Sequence, residues 1–256
     1  MILPLLLVYG VTRAFWWVTD QPAMLSWPDW AEGGLKLALW VPTAVLGIMW
    51  LRGRRLGEAI EELGLTVPAA GGVGLLLTVT LPMAMLPALA GIGIVRPGAV
   101  LSATLLGPIA EEVLYRGFFF QQLVLRARWP VWVAALASGF AFGIAHYQNL
   151  DVTLALGLLQ NDLGALTALI GPGLMSTTLG GCLFAWLVWR WRSLWPAIAL
   201  HGGINFWWEL APSASGLPLA GIAQTATIGL AIAATVRRGR TSGPGASSPE
   251  ASRPAR

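Results

Sequence analysis

The stretch PIAEEVLYRGFF, Pro108 to Phe119, sets two carboxylates and a guanidinium inside an otherwise apolar run. A bare carboxylate in hydrocarbon costs about 2.5–3.5 kcal/mol on insertion scales. A chain that keeps Glu111 and Glu112 there either neutralises them or uses them. Glu112 and Arg116 stand at i and i+4, so on a helix they share a face and can pair. Glu111 is turned from Glu112 by about 100° on a regular helix. One carboxylate can therefore be held by Arg116 while the other faces a cavity.

The chain has only two histidines, His146 and His201, and both lie in apolar segments, FAFGIAHYQN and PAIALHGGINFWW. Asn205 follows His201 at i+4, and His146 follows Phe142 at i+4. Each pair projects from one helix face, so Phe142 gives His146 an apolar wall. A carboxylate, two imidazoles and an amide suit hydrolysis by an activated water. A buried Glu111 that Arg116 does not hold can act as a general base. A neutral His201 ring and the Asn205 amide can both donate to an oxyanion, each donor being worth about 2.7–4 kcal/mol.

Other chemistry fits the same residues. Glu111, His146 and His201 form a two-His, one-carboxylate set of the kind that binds zinc with an open position. Intramembrane Glu and His also serve proton relays or, as a purely structural set, hold helices together. A transporter and a non-catalytic immunity or scaffold protein are therefore the rival classes. The chain shows no internal repeat, which counts against a transporter.

The elements that must position these residues are membrane helices. Of 256 residues, 56% are hydrophobic and 11% charged, and mean hydropathy is +0.68. A soluble domain carries about 25% charged residues. Continuous apolar runs near the roughly 20 residues that cross a bilayer predict an all-α, polytopic transmembrane bundle in the cell membrane. Candidate spans are 2–18, 35–51, 72–95, 99–125, 130–147, 153–170, 173–190, 194–210 and 217–236. The segment 153–170 carries Gln160, Asn161 and Asp162 in its middle and reads as an interfacial or re-entrant piece lining a polar cavity. Basic clusters at Arg52/Arg54/Arg55, Arg126/Arg128, Arg190/Arg192 and Arg237/Arg238/Arg240 all belong on the cytoplasmic side. They fit if 153–170 does not cross fully, giving about eight spans with both termini cytoplasmic. If 99–125 and 130–147 form an antiparallel hairpin, Glu111 and His146 sit ~20–27 Å from the same turn and can converge on one water.

The rest of the chain is quieter. Residues 1–98 read as N-terminal helices plus a cytoplasmic loop, in which RGRRLGEAIEELGL forms a short amphipathic helix. Loop 19–34 carries Asp20, Asp29 and Glu32 without a basic residue and faces outward. Residues 99–210 form the core with the candidate site, 211–238 the last span, and 239–256 a Ser/Pro/Gly/Ala-rich disordered tail. The one cysteine, Cys182, can form no internal disulfide and reads as a small buried residue. The net charge of +4 consists mostly of span-flanking topology signals, so the partners expected are the lipid bilayer and no nucleic acid.

Three motifs, EEVLYR as E-E-x-x-x-R, FGIAH as F-x-x-x-H and HGGIN as H-x-x-x-N, occur in an order and spacing that resemble the CAAX prenyl protease and bacteriocin-processing (CPBP, or Abi) family of intramembrane endopeptidases. The phrase RSLWPAIALHGGINF looks typical of bacterial members. The resemblance covers about 100–210. It implies an eight-helix membrane core and metal-free hydrolysis of a peptide bond in a peptide or lipidated-peptide substrate. Carried over, it makes Glu111 the base, His146 its partner, His201 and Asn205 the oxyanion donors, and Glu112 and Arg116 their supports. The gap from His146 to His201 is longer than usual for the family, and the extra length is the polar segment around Gln160–Asp162.

Overall fold

A computed structural model describes residues 2–65, 74, 77, 79–83, 85, 96–146, 174–210 and 219–241. Among these the secondary structure is helical, with no strand. The segment 153–170, with Gln160, Asn161 and Asp162, lies outside the described residues, as does most of 72–95. The count of eight spans therefore extends beyond them.

Helix α1 is Ile2–Thr19 and α2 is Ala31–Arg52, with a 3-10 turn at Pro22–Ser26 between them. Both helices are long and apolar enough to cross a membrane. The short α3, Leu56–Glu62, is the expected amphipathic helix, tied to the end of α2 by Arg52–Glu62 at 3.2 Å. Helix α4 runs through 97–126, and α5 is Val131–Ala145. Then come α6, Ser176–Trp191, α7, Trp195–Leu210, and α8, Leu219–Thr241. Two boundaries differ from expectation. Helix α2 begins at Ala31, so Glu32 is in its first turn rather than in a loop, where the positive end of the helix dipole favours an acid. Helix α8 reaches three residues into the stretch read as tail.

Helix α4 is the axis of the bundle. Every residue from Val113 to Phe120 is buried, as expected of a helix packed on all sides. Small residues let neighbours close on it. The Gly33 amide of α2 donates to Ser102 Oγ at 2.9 Å, and Gly181 of α6 lies against the Arg116 guanidinium. The Thr12 and Tyr115 hydroxyls of α1 and α4 are 3.0 Å apart, and Ser138 of α5 donates to the Tyr115 carbonyl at 2.9 Å. Helices α5 and α6 meet at Gly139, whose missing Cβ would fall 2.5 Å from the Thr178 carbonyl oxygen. Such small-residue contacts drive association where the hydrophobic effect cannot.

The described surface is more apolar than that of a water-soluble protein, over a core that is itself mostly apolar. Leu6, Tyr9, Trp50, Trp132, Leu179 and Ile222 are more than half exposed, while Glu111, Glu112 and Arg116 are buried. An apolar exterior with the few buried charges gathered inside suits hydrocarbon, because intramembrane charges face the bundle interior.

Candidate active site

Helix α4 is not a regular α-helix. Its turns at Ser102–Leu106, Val113–Phe120 and Gln122–Arg126 are π-helical, and such wide turns recur at functional sites. The first has a cause in the sequence. The Gly107 amide bonds back to the Ser102 carbonyl. The next donor in that register is position 108, a proline without an N–H. The carbonyl of Ala103 is thereby left without a helical partner. Asn205 of α7 donates to it from Nδ2 at 2.9 Å. Gly202 permits this approach: any Cβ there would collide with the Thr104 carbonyl oxygen.

The pairing of Glu112 with Arg116 is as the i, i+4 spacing requires. Nη1 donates to Glu112 Oε1 at 3.1 Å, with both side chains fully buried. The guanidinium carbon also stands 4.1 Å from the centre of the Phe142 ring and 5.2 Å from that of Phe184, a favourable position for a desolvated cation. Phe142 therefore walls Arg116 as well as His146, whose ring centre is 4.3 Å from its own.

Both histidines come to Glu111. His201 Nε2 is 3.5 Å and His146 Nε2 is 3.9 Å from Glu111 Oε2. Each ring is oriented through its other nitrogen. His146 Nδ1 lies 2.8 Å from the Phe142 carbonyl oxygen; a carbonyl only accepts, so Nδ1 carries a proton and, in the neutral ring, Nε2 a lone pair. His201 Nδ1 lies 2.8 Å from Glu112 Oε1, the oxygen that Arg116 also binds, and the ring stacks on Phe184 at 4.8 Å. This corrects one expectation. A neutral His201 spends its single N–H on Glu112, so Nε2 can donate to an oxyanion only from the imidazolium. Asn205 is likewise partly committed, one amide N–H going to Ala103. The His201 side chain is only 6% exposed, whereas that of His146 is 37% exposed.

Sequence reasoning missed Lys36 of α2. Its Nζ is 2.8 Å from Glu111 Oε1 and 3.2 Å from Glu32. Its signal was a lone lysine in the apolar run LKLALW, which reads as a snorkelling residue at a span end. For a metal, Glu111, His146 and His201 supply suitable atoms, but no group of three or more His, Cys, Asp or Glu is spaced to hold an ion among the described residues.

Residues 94–207 match the family model described as type II CAAX prenyl endopeptidase Rce1-like. Over these residues the chain is similar to that family of CAAX proteases. No curated protein and no solved structure matches the chain. The matched segment contains Glu111, Glu112, Arg116, Phe142, His146, His201 and Asn205. Lys36 stands outside it.

Proposed function

We propose that the protein is a multi-pass cell-membrane endopeptidase. It hydrolyses a peptide bond in a peptide or lipidated-peptide substrate, with water activated by Glu111 and His146. The observation that carries this reading is the convergence of His146 Nε2 and His201 Nε2 on Glu111 Oε2 at 3.9 and 3.5 Å. The longer of these, to His146, exceeds a direct hydrogen bond and supports a water reached by both groups.

In the proposed reaction the water donates one hydrogen to Glu111 Oε2 and the other to the lone pair of His146 Nε2. Its oxygen lone pair then attacks the scissile carbonyl carbon while Glu111 takes the proton. The oxyanion accepts from the Nε2–H of a His201 imidazolium and from the second N–H of Asn205 Nδ2. As the C–N bond breaks, the proton on Glu111 passes to the leaving nitrogen, giving a carboxylic acid and an amine. Glu112 and Arg116 hold His201 in place. The contact of Lys36 with Glu111 supports this metal-free reading over the two-His, one-carboxylate zinc site, because a second cation beside the carboxylate opposes binding of a dication.

The test is cleavage of a quenched-fluorescent peptide library, some members lipidated, by purified protein with and without chelator. Glu111→Ala and His146→Ala are expected to lose about 100- to 10,000-fold in turnover, and chelator is expected to change nothing. Chelator-sensitive cleavage would replace the proposal with the zinc mechanism. Cleavage unchanged in both variants would remove these residues from the reaction. A cellular phenotype that survives Glu111→Ala would favour the scaffold class.

A further inference from the structure

The matched segment begins at residue 94, yet one group touching the proposed base comes from α2. Lys36 reaches Glu111 from 75 positions away along the chain. Its contact falls on one oxygen only: Nζ binds Oε1 at 2.8 Å, while both histidines face Oε2. The ammonium is fixed from several sides. It lies 5.2 Å from the centre of the Phe15 ring of α1 and 5.7 Å from that of Trp40. Glu32, one turn back on α2, holds it at 3.2 Å. Its side chain is 14% exposed, so it is set in the wall of the site rather than waving at its mouth.

We propose that Lys36 is a positioning residue that divides the two oxygens of Glu111, fastening Oε1 so that Oε2 is held out toward His146, His201 and the water between them. The inference rests on the peptidase reading above and deepens it. A carboxylate bound at neither oxygen can rotate about its terminal bond, which is broad and two-fold. Anchoring one oxygen by a charge-assisted hydrogen bond selects a single orientation. The charges also balance in pairs: Arg116 stands on Glu112 and Lys36 on Glu111. Arg116 is supplied by the helix that carries its partner, whereas Lys36 is supplied by α2 and seated partly by α1. The proposed catalytic unit is therefore larger than the family segment and includes both N-terminal helices.

The test uses full-length protein and compares Lys36→Met, which keeps the stem and removes the charge, with Lys36→Arg and Glu32→Gln. Lys36→Met is expected to lower kcat about 100-fold, the loss typical of a small misplacement of a reacting group, with KM unchanged. Lys36→Arg is expected to restore at least a tenth of wild-type kcat, because it can still bind Oε1 with a charged donor. Glu32→Gln, which removes the half-exposed partner of the ammonium and leaves its bond to Glu111, is expected to lower kcat by less than Lys36→Met does, as exposed pairs contribute little. A Lys36→Met enzyme with wild-type kcat would overturn the proposal. So would a rise in KM alone, which would make Lys36 a substrate-binding group. A thermal-stability cycle covers the case in which Lys36→Met folds poorly. The substitution is expected to lower Tm in the wild-type background and to be neutral or stabilising in Glu111→Gln, where the carboxylate is gone. Equal losses in both backgrounds would overturn the pairing. If wild type cleaves no peptide while the cycle still shows coupling, the peptidase reading fails and the Lys36–Glu111 pairing stands.

Discussion

Gly202→Ala adds one methyl group where α7 crosses α4. That methyl would be placed on the carbonyl oxygen of Thr104, a backbone atom that cannot turn aside. Restoring an ordinary contact requires the two helices to part by about 1 Å, a displacement that can cost about 100-fold in rate when it misplaces a reacting group. The neighbouring residue is His201, whose 2.8 Å bond to Glu112 would open beyond hydrogen-bonding distance. One turn on, Asn205 would be pulled from the Ala103 carbonyl. Overpacking also costs typically 1–3 kcal/mol of stability. The expected variant is folded, somewhat less heat-stable and about 100-fold less active. Gly180→Ala, whose Cβ would meet open space on α6, is the control and is expected to match wild type. The assay is turnover of a cleaved peptide in detergent beside a thermal melt of the same preparation. If Gly202→Ala retained activity within about threefold and melted normally, the claim that this crossing sets the position of His201 would be wrong.

Two further outcomes are expected. Arg116→Met should destabilise by about 3–5 kcal/mol, because Glu112 is left charged and unpaired in the core. Adding Glu112→Gln should recover most of that loss in the thermal melt, and a double variant no better than the single would contradict the pairing. At the loop surface, the Arg96 guanidinium hydrogen-bonds Asp29 at 3.1 and 2.8 Å and holds its carboxyl below the ordinary 3.8. With the folded value depressed, the pair's small contribution is present above pH 3.8 and lost as pH falls through the lower folded value. The Tm gap between wild type and Asp29→Asn should therefore close on acidification and shrink in salt; a gap that widened toward low pH would reverse the assignment.

Local spacing carried much of the site. The i, i+4 relation of Glu112 to Arg116 is realised as a buried ion pair, and the rotation of Glu111 away from Glu112 takes it to a different set of partners. The hairpin of α4 and α5 brings His146 to the depth of Glu111, as helix rise alone predicts. What spacing did not reveal depends on groups far apart in the chain. Lys36 meets Glu111 only because α2 packs along α4. The role of Asn205 turns on a carbonyl freed by Pro108, and that requires the π-helical register of α4. Periodicity rules assume a regular helix, so wide turns are invisible to them. The tautomers of His146 and His201 follow from what touches Nδ1, which a sequence does not state.

The division of counter-ions between helices has a consequence for how the protein is made. Arg116 neutralises Glu112 as soon as α4 coils, since both belong to one segment. Glu111 has no such companion on its own helix, and entering the bilayer alone would cost about 2.5–3.5 kcal/mol. Its companion is on α2, which leaves the ribosome first. The order of helices along the gene thus places a waiting ammonium in the membrane before the carboxylate that requires it arrives. A chain begun at α4 would have to insert Glu111 unmatched.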